Sequence, residues 1–279
     1  MNIRNIILAV IALTVFASCK SEFEKTRASG DPKLILAKAD AYYADDNFQK
    51  AQSLYELVIS SYRGQKEAEE IYYKYAYTYY YQEQYVLAAY YFNIFSKTYS
   101  TSDRREEIDY MAAYCNYKMS PTFRLDQTYT IEAINGLQTF INTYPFSERV
   151  GECNNLIDEM RKKLEQKAFE EGKLYYDIKR YQASIQSFGN LLVDFPETAE
   201  AEQVRYLISR SAYLWASNSF REKQKERYEL AIEKAQDYLD LFANGANNKE
   251  VENMLNNSRE KLNSLNNDGH QKQSSRAGS

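Results

Sequence analysis

Apolar residues recur with a helical period along most of the chain. In residues 148–176 they recur at helical spacing, which places them on one helix face: Leu156, Ile157, Met160 and Leu164. In residues 248–265 a sparser stripe predicts a final helix with a polar outer face: Val251, Leu255 and Leu262. Only 9 Gly and 4 Pro occur in 279 residues, which leaves little turn chemistry for an all-β fold. The pattern therefore predicts an all-α protein.

A second pattern repeats over longer distances. Aromatic, small and aromatic residues stand in the spacing i, i+3, i+7: Phe48, Ala51, Tyr55; Tyr85, Ala88, Phe92; Tyr181, Ser184, Phe188; and, in relaxed form, Thr130, Ala133, Leu137 and Tyr228, Ala231, Ala235. Nine residues before three of these units a small residue occurs on a preceding helix: Ala39, Ala76 and Gly172. The spacing resembles the tetratricopeptide repeat, a helix-turn-helix unit of about 34 residues. Small residues then allow two helices to approach, and the aromatics fill the groove between them.

The repeats predict the domain organisation. We expect an α-solenoid of about five tetratricopeptide-like helical hairpins with a C-terminal capping helix. Residues 32–147 would hold repeats 1–3, and residues 148–265 would hold repeats 4–5 and the cap. Residues 266–279 are polar and are expected to be disordered. Cys115 and Cys153 would lie far apart on parallel helices, so we expect two buried thiols and no disulfide.

The N-terminus has the layout of a secretory signal peptide. Arg4 precedes an apolar run of about a dozen residues, which is too short to cross a bilayer of about 30 Å. Phe16-Ala17-Ser18 then leads to Cys19, and this arrangement resembles the lipobox of bacterial lipoproteins. The resemblance implies cleavage of residues 1–18, lipidation of Cys19, and a tether over residues 19–31. The alternative is an ordinary cleaved signal in which Cys19 is incidental.

Composition excludes several classes of function. The formal net charge is −4, so the chain lacks the basic footprint of a nucleic-acid-binding protein. The chain has one histidine, His270, in its polar tail, and neither metal-ligand spacing nor a Gly-rich phosphate loop. Paired carboxylates such as Glu106-Glu107 are typical of solvated helix faces. We therefore expect no catalytic residues, no metal and no cofactor, although a carboxylate-only hydrolase is not strictly excluded.

Tyrosine is the unusual residue here, with 27 copies against 13 Phe and 1 Trp. Counted from the repeat landmarks, seven tyrosines fall at first-helix positions that face the concave groove of such an array: Tyr43, Tyr73, Tyr77, Tyr80, Tyr110, Tyr114 and Tyr117. Six of them form two trios, residues 73, 77 and 80 and residues 110, 114 and 117, and the spacings of four and three put each trio on one helix face. We expect a groove that binds an extended or apolar-rich peptide, because tyrosine offers large contact area at low entropy cost. The alternative is that these rings only pack against one another.

A lipobox followed by five such repeats is similar to the BamD family of outer-membrane lipoproteins, which belong to the β-barrel assembly machinery. Further points of likeness are Ser120-Pro121 and Arg124-Leu125-Asp126-Gln127-Thr128 in repeat 3, and the repeat-closing phrases 142–145 and 193–196. The resemblance implies a scaffold on the periplasmic side of the cell outer membrane, held there by its lipid. N-terminal repeats would engage unfolded outer-membrane β-barrel precursors. C-terminal repeats would dock a POTRA domain of a BamA-like barrel.

Extra residues around 221–227 suggest where that docking would occur. We expect a lengthened, strongly charged loop whose cations Arg221, Lys225 and Arg227 contact the barrel partner, since insertions in repeat proteins map to binding loops. The alternative is a solvated loop. A second function also stays open, namely a lipoprotein adaptor for another envelope machine, such as a secretin pilot or a cell-wall or division coordinator.

Overall fold

The computed structural model describes residues 21–277 of the chain, so the signal peptide and Cys19 lie outside the described residues. Within them every regular element is a helix: α1 (Glu22–Arg27), α2 (Pro32–Ala44), α3 (Phe48–Val58), α4 (Glu67–Tyr81), α5 (Tyr85–Thr98), α6 (Arg105–Met119), α7 (Thr128–Thr143), α8 (Val150–Asp177), α9 (Tyr181–Asp194), α10 (Ala201–Ser217), α11 (Arg221–Leu241) and α12 (Asn248–Ala277). A short 3₁₀ turn, Ile59–Tyr62, follows α3. The all-α prediction is confirmed. None of these helices is both long and apolar enough to cross a membrane.

The chain divides into two compact units. One comprises residues 21–121 and Asp126–Asp158, and the other comprises Thr122–Leu125 and residues 159–277. The division falls inside α8, after Asp158, whereas the sequence suggested a boundary at Glu148. The reason is that α8 is one continuous helix of 28 residues whose early side chains, such as the buried Cys153, pack in the first unit.

Helical hairpins build both units, and the small residues of the repeat pattern allow their close packing. The predicted small positions of the second helices are all buried: Ala51, Ala88, Ala133, Ser184 and Ala231. A Cβ on Gly172 of α8 would lie 2.6 Å from the ring of Phe188 on α9, so only glycine lets these two helices meet. In the first unit Gly136 makes a similar approach to Ala113, where an added Cβ would lie 2.9 Å from the alanine methyl.

The turns inside three hairpins share one conformation. Asp46, Glu83 and Lys179 each have positive φ, at 55°, 58° and 61°, immediately after the first helix has ended. This left-handed residue reverses the chain and ends the helix. Asp46 and Glu83 stand 37 residues apart, which is the period of the first two repeats.

Three segments that the sequence assigned to loops or tails are helical. Residues 19–31 were expected to form a tether, but Ser21 caps α1 by accepting a hydrogen bond from the Glu24 amide at 3.2 Å. The predicted loop at 221–227 is the start of α11, because its Glu, Lys, Gln and Arg residues are strong helix formers. The tail beyond residue 265 continues α12 to Ala277, since extending a formed helix adds one hydrogen bond per residue.

Cys115 and Cys153 are both buried and unpaired, as predicted. Burial raises the pKa of the Cys115 thiol to about 12 and that of Cys153 to about 11. Neither thiol therefore carries the charge that a reactive cysteine needs at neutral pH.

Candidate functional site

The structure brings the tyrosines of α4 and α6 together on adjacent first helices of the first unit. On α4 the ring centroids of Tyr73 and Tyr77 are 4.8 Å apart, and those of Tyr77 and Tyr80 are 6.2 Å apart. On α6 Tyr114 stacks on Tyr110 at 5.4 Å and lies 5.5 Å from Tyr117. We call these six rings the tyrosine surface.

Their exposure differs along each row. Tyr73, Tyr80, Tyr114 and Tyr117 are half-buried. Tyr77 and Tyr110 are only 7% and 3% exposed. These two rings are therefore almost completely covered, and the expectation that all six rings meet a ligand stays a prediction. Both rings are covered by the second helices, through Phe92 for Tyr77 and Phe140 for Tyr110.

Carboxylates from the next first helix accept hydrogen bonds from three of these tyrosines. Tyr73 donates to Glu107 Oε1 at 3.0 Å, and Tyr77 donates to the same oxygen. Tyr110 donates to Glu152 Oε1 at 2.8 Å. Burial and Glu107 together raise the pKa of Tyr73 to about 12, and burial with a carboxylate partner raises the pKa of Tyr77 and Tyr110 further. All three phenols therefore stay neutral donors at physiological pH.

An arginine covers a tyrosine at each of these junctions. The guanidinium of Arg104 lies 4.2 Å from the centroid of Tyr73, and that of Arg149 lies 4.3 Å from the centroid of Tyr110. Arginines 104 and 149 each stand three residues before the carboxylate that accepts from the same ring. The repeated spacing Arg-x-x-Glu thus supplies a cation for the ring face and an acceptor for its hydroxyl. Sequence reasoning missed this motif, although the spacing is visible in the chain.

Ion pairs also connect the first helices of repeats 1, 2 and 3, namely α2, α4 and α6. Lys74 bridges Asp40 Oδ1 at 2.9 Å and Glu70 Oε1 at 3.3 Å, and Arg104 pairs with Glu70 Oε2 at 2.5 Å. All of these groups are partly exposed, so each pair contributes little to stability. These charged groups matter for binding, because they place both cations and carboxylates beside the rings of the tyrosine surface.

Tyr43 extends the surface toward the first hairpin. Its ring makes edge contacts with Tyr55 and Tyr81, both at 6.3 Å, and with Phe48 at 5.6 Å. Tyr81 is 47% exposed and stacks on Phe48 at 4.5 Å. Tyr81 ends α4 one residue after Tyr80, and it joins Tyr43 to Tyr77. It is the tyrosine that sequence reasoning failed to include.

The predicted docking cations, in the second unit, do not form one group. Lys225 is exposed on α11, and Arg221 is also exposed there although it is engaged with a neighbour. Arg227 instead lies over the ring of Trp215, 4.2 Å from its centroid, and donates to Ser219. The helical register of α11 directs Arg227 onto α10, and its role in docking stays a prediction.

Apolar side chains stand near these cations. Phe220 is 86% exposed just before α11, and the half-buried Trp215 lines one depression with Lys179, Arg180 and Tyr181 and a second with Arg227 and Leu230. Phe220 is an exposed aromatic residue, and Trp215 lines both depressions. Together they mark this end of the second unit as a candidate contact surface. The sequence analysis did not include either residue. No cluster of three metal-binding side chains occurs among residues for which side chains are described.

Comparison with known proteins decides the family. The sequence profile of the YfiO outer membrane lipoproteins matches residues 28–227, which is most of the chain and contains the whole tyrosine surface. The chain belongs to the YfiO family of outer membrane lipoproteins. A protein of Aquifex aeolicus (strain VF5), provisionally named outer membrane protein assembly factor BamD, is 26% identical over 249 residues, covering 88% of this chain and 80% of the relative.

Solved structures were also compared. The TPR2AB domain in the Hsp90 complex of yeast Sti1 matches with a TM-score of 0.37 at 13% identity, over 82% of this chain and 98% of that one. The MamA protein matches with a TM-score of 0.31 at 14% identity, over 75% of this chain and 94% of that one.

Membership of the YfiO family confirms the resemblance found in the sequence. It supports a role in outer-membrane protein assembly, and the family is not known as one of enzymes.

Proposed function

We propose that this protein is an outer-membrane protein assembly factor that works as a lipid-anchored scaffold on the periplasmic side of the membrane. Its first unit binds unfolded β-barrel precursors, and its second unit docks a BamA-like barrel through a POTRA domain. The observation that carries the proposal is the tyrosine surface, which lies wholly within the region that matches the family.

The chemistry of the tyrosine surface suits one segment of an unfolded precursor. A strand of an outer-membrane barrel alternates apolar and polar residues, and aromatic girdles flank its apolar band. Half-buried rings at Tyr80 and Tyr114 would contact the aromatic side chains, and the cations of Lys74 and Arg104 would pair with carboxylates of the segment. Tyr77 and Tyr110 would act through these neighbours as positioning residues.

Docking in the second unit is proposed at Phe220 and Trp215, with Lys225 beside them. A large exposed aromatic next to a partly buried one is typical of an interface anchor, and the rim charge of Lys225 would affect association rate more than affinity. Reversing Arg227 would not test this surface cleanly, because the substitution also removes the contact with Trp215. Phe220→Ala is the cleaner variant, with Val193→Ala as its control because Val193 is also highly exposed, at 78%.

Lipidation of Cys19 anchors the protein in this account. A single acyl chain binds membranes marginally, and a cysteine that carries two or three chains gives stable anchoring. Intact-protein mass spectrometry of material from native membranes tests this step directly. The expected mature chain begins at Cys19 with acyl mass, and a chain without it would show that the anchor is wrong.

Crosslinking in native membranes tests the proposed function as a whole. A photoreactive amino acid replaces Tyr114 on the tyrosine surface, and in the control it replaces Tyr129, which is 38% exposed on α7. We expect the first probe to capture outer-membrane β-barrel precursors and the control to capture few. Capture of a secretin subunit or of a cell-wall enzyme at Tyr114, without precursors, would instead favour an adaptor for another envelope machine.

Co-purification tests the docking part separately. Wild-type protein and the Val193→Ala control should retain a BamA-like barrel at physiological salt, and Phe220→Ala should release it while the Tyr114 crosslink persists. Retention of the barrel by Phe220→Ala would place the docking surface elsewhere.

A further inference from the structure

Residues 21–31 are folded onto the first hairpin. Phe23 of α1 packs edge-on against Tyr42 of α2, with ring centroids 6.0 Å apart, and Glu22 pairs with Lys38 of the same helix. Lys50 of α3 also lies over the ring of Tyr42, 5.1 Å from its centroid. A helix of six residues is unstable alone, so these contacts hold α1 in place.

The hydrogen bonds of this segment also fix its path. Thr26 is 4% exposed and donates to the carbonyl of Glu22 at 3.0 Å, and Ser29 donates to the carbonyl of Thr26 at 2.8 Å. Gly30, with φ of 67°, then reverses the chain into α2. Because Phe23 meets Tyr42 near the end of α2, the beginning of α1 lies beside the α2–α3 turn, residues 45–47.

This fold leaves very little chain between the anchor and the body of the protein. From Cys19 to Glu22 the chain can reach at most ~11 Å when fully extended, whereas an unfolded segment up to Pro32 could reach ~45 Å. A docked α1 therefore keeps the acylated residue close to one end of the first hairpin.

Charge alone does not hold this end of the hairpin at a membrane. Asp45 and Asp46 are exposed there, together with Glu24, Lys25 and Lys50. Because charges of both signs are present, a strong attraction to anionic lipids is not expected. Position must come from the length and the rigidity of the connection.

We propose that α1 is a short, rigid connection between the lipid anchor and the first hairpin, which we call the standoff. It holds the α2–α3 turn of that hairpin at the lipid headgroups. The interaction surface is this turn, and its partner is the bilayer surface. The proposal rests on the proposed lipidation of Cys19 and goes beyond it, since a lipid anchor by itself sets no orientation. Lys66, which directly precedes α4, is then held away from the lipid, because α2 spans 13 residues, or ~20 Å.

Depth-dependent fluorescence quenching tests the standoff. Full-length acylated protein is reconstituted in phosphatidylethanolamine and phosphatidylglycerol vesicles that contain a headgroup-linked quencher. A fluorophore is attached to Asp45→Cys or to Lys66→Cys, both exposed positions in the first unit, while buried Cys115 and Cys153 stay unlabelled. We expect quenching several-fold stronger at position 45 than at position 66.

Two further variants and one control substitution separate rigidity from anchoring. Phe23→Ala, which removes the contact with Tyr42, should abolish most of the difference between the probes, and the exposed Lys25→Ala should preserve it. Eight Gly and Ser residues inserted between Lys20 and Ser21 should also abolish it while α1 stays docked. Equal quenching at both positions in acylated wild-type protein, or a difference that survives Phe23→Ala, would overturn the standoff. Absence of acyl mass would instead overturn the anchor on which both ideas rest.

Discussion

Tyr110 and Glu152 join two successive first helices through one hydrogen bond of 2.8 Å from the phenol to Oε1. Tyr73 and Glu107 make the equivalent bond one repeat earlier, at 3.0 Å. In both cases an arginine three residues before the carboxylate covers the ring. The repeated contact shows that the tyrosine surface is built into the junctions between repeats, so its geometry and the stability of the first unit are coupled.

The first prediction concerns that hydrogen bond. Tyr110→Phe keeps the ring and removes only the hydroxyl, so we expect the free energy of unfolding to fall by about 1 kcal/mol. Urea denaturation followed by circular dichroism measures the change. Tyr129→Phe is the control, because Tyr129 is exposed on α7 in the same unit. Equal stability of the two variants would mean that the bond between Tyr110 and Glu152 adds nothing.

A pair of glycines in the second unit tests the packing of its hairpins. Gly172→Ala places a Cβ 2.6 Å from the ring of Phe188, and we expect overpacking to cost about 1–3 kcal/mol of unfolding free energy. Gly189→Ala on α9 meets nothing within 4 Å and should stabilise the protein by about 0.5–1 kcal/mol, since alanine favours the helix. If both variants shift the thermal midpoint in the same direction, close approach at Gly172 is not a constraint.

Alkaline titration should reveal the buried phenols. The pKa of Tyr73 and of Tyr144 is raised from 10.0 to about 12, first by burial and then by the carboxylates of Glu107 and Asp109. A raised folded-state pKa gives stability that is complete below the unfolded value and is lost as pH rises toward the folded value. We therefore expect stability to fall between about pH 10 and pH 12.

Absorbance at 295 nm follows tyrosine ionisation directly. In the native protein a fraction of the 27 tyrosines should titrate late, and in guanidinium chloride all should titrate in one step near the ordinary value. Identical native and unfolded titration curves would contradict the burial of Tyr77 and Tyr110.

The cysteines give a further check on packing. Cys115 and Cys153 are buried and their pKa values are raised by loss of hydration, so both should react with a maleimide only after unfolding. The measurement is mass spectrometry of protein treated with and without urea. Rapid modification of either thiol in the native state would show that its helix opens readily.

Much of the fold follows from periodic positions in the sequence. Ala39, Ala76 and Gly172 mark the close approaches, and the structure buries all three. Helix propensity was undervalued where apolar residues are sparse: α1 and the start of α11 were both assigned to irregular chain. Phe23 and the alternating charges of 221–227 were the available signals, one for packing and the other for helix formation.

The candidate site was only partly predictable. Spacing placed Tyr80 and Tyr114 on one face, but it could not show that Phe92 and Phe140 cover Tyr77 and Tyr110, since that depends on how second helices pack. Arg227 was expected in a loop, which has no fixed register, whereas the structure places it on a helix. The contact of Arg227 with Trp215 appears only once α11 is known to begin at Arg221.

Peptide binding to the tyrosine surface tests the central claim most directly. The ligand is a fluorescent peptide of alternating apolar and polar residues with an aromatic end, and a scrambled peptide controls for composition. Tyr80→Ala combined with Tyr114→Ala should raise the Kd at least about tenfold, a loss of about 1.4 kcal/mol, while Tyr129→Ala leaves the Kd unchanged. An unchanged Kd for the double variant, or equal affinity for the scrambled peptide, would contradict the claim that this surface recognises a precursor segment.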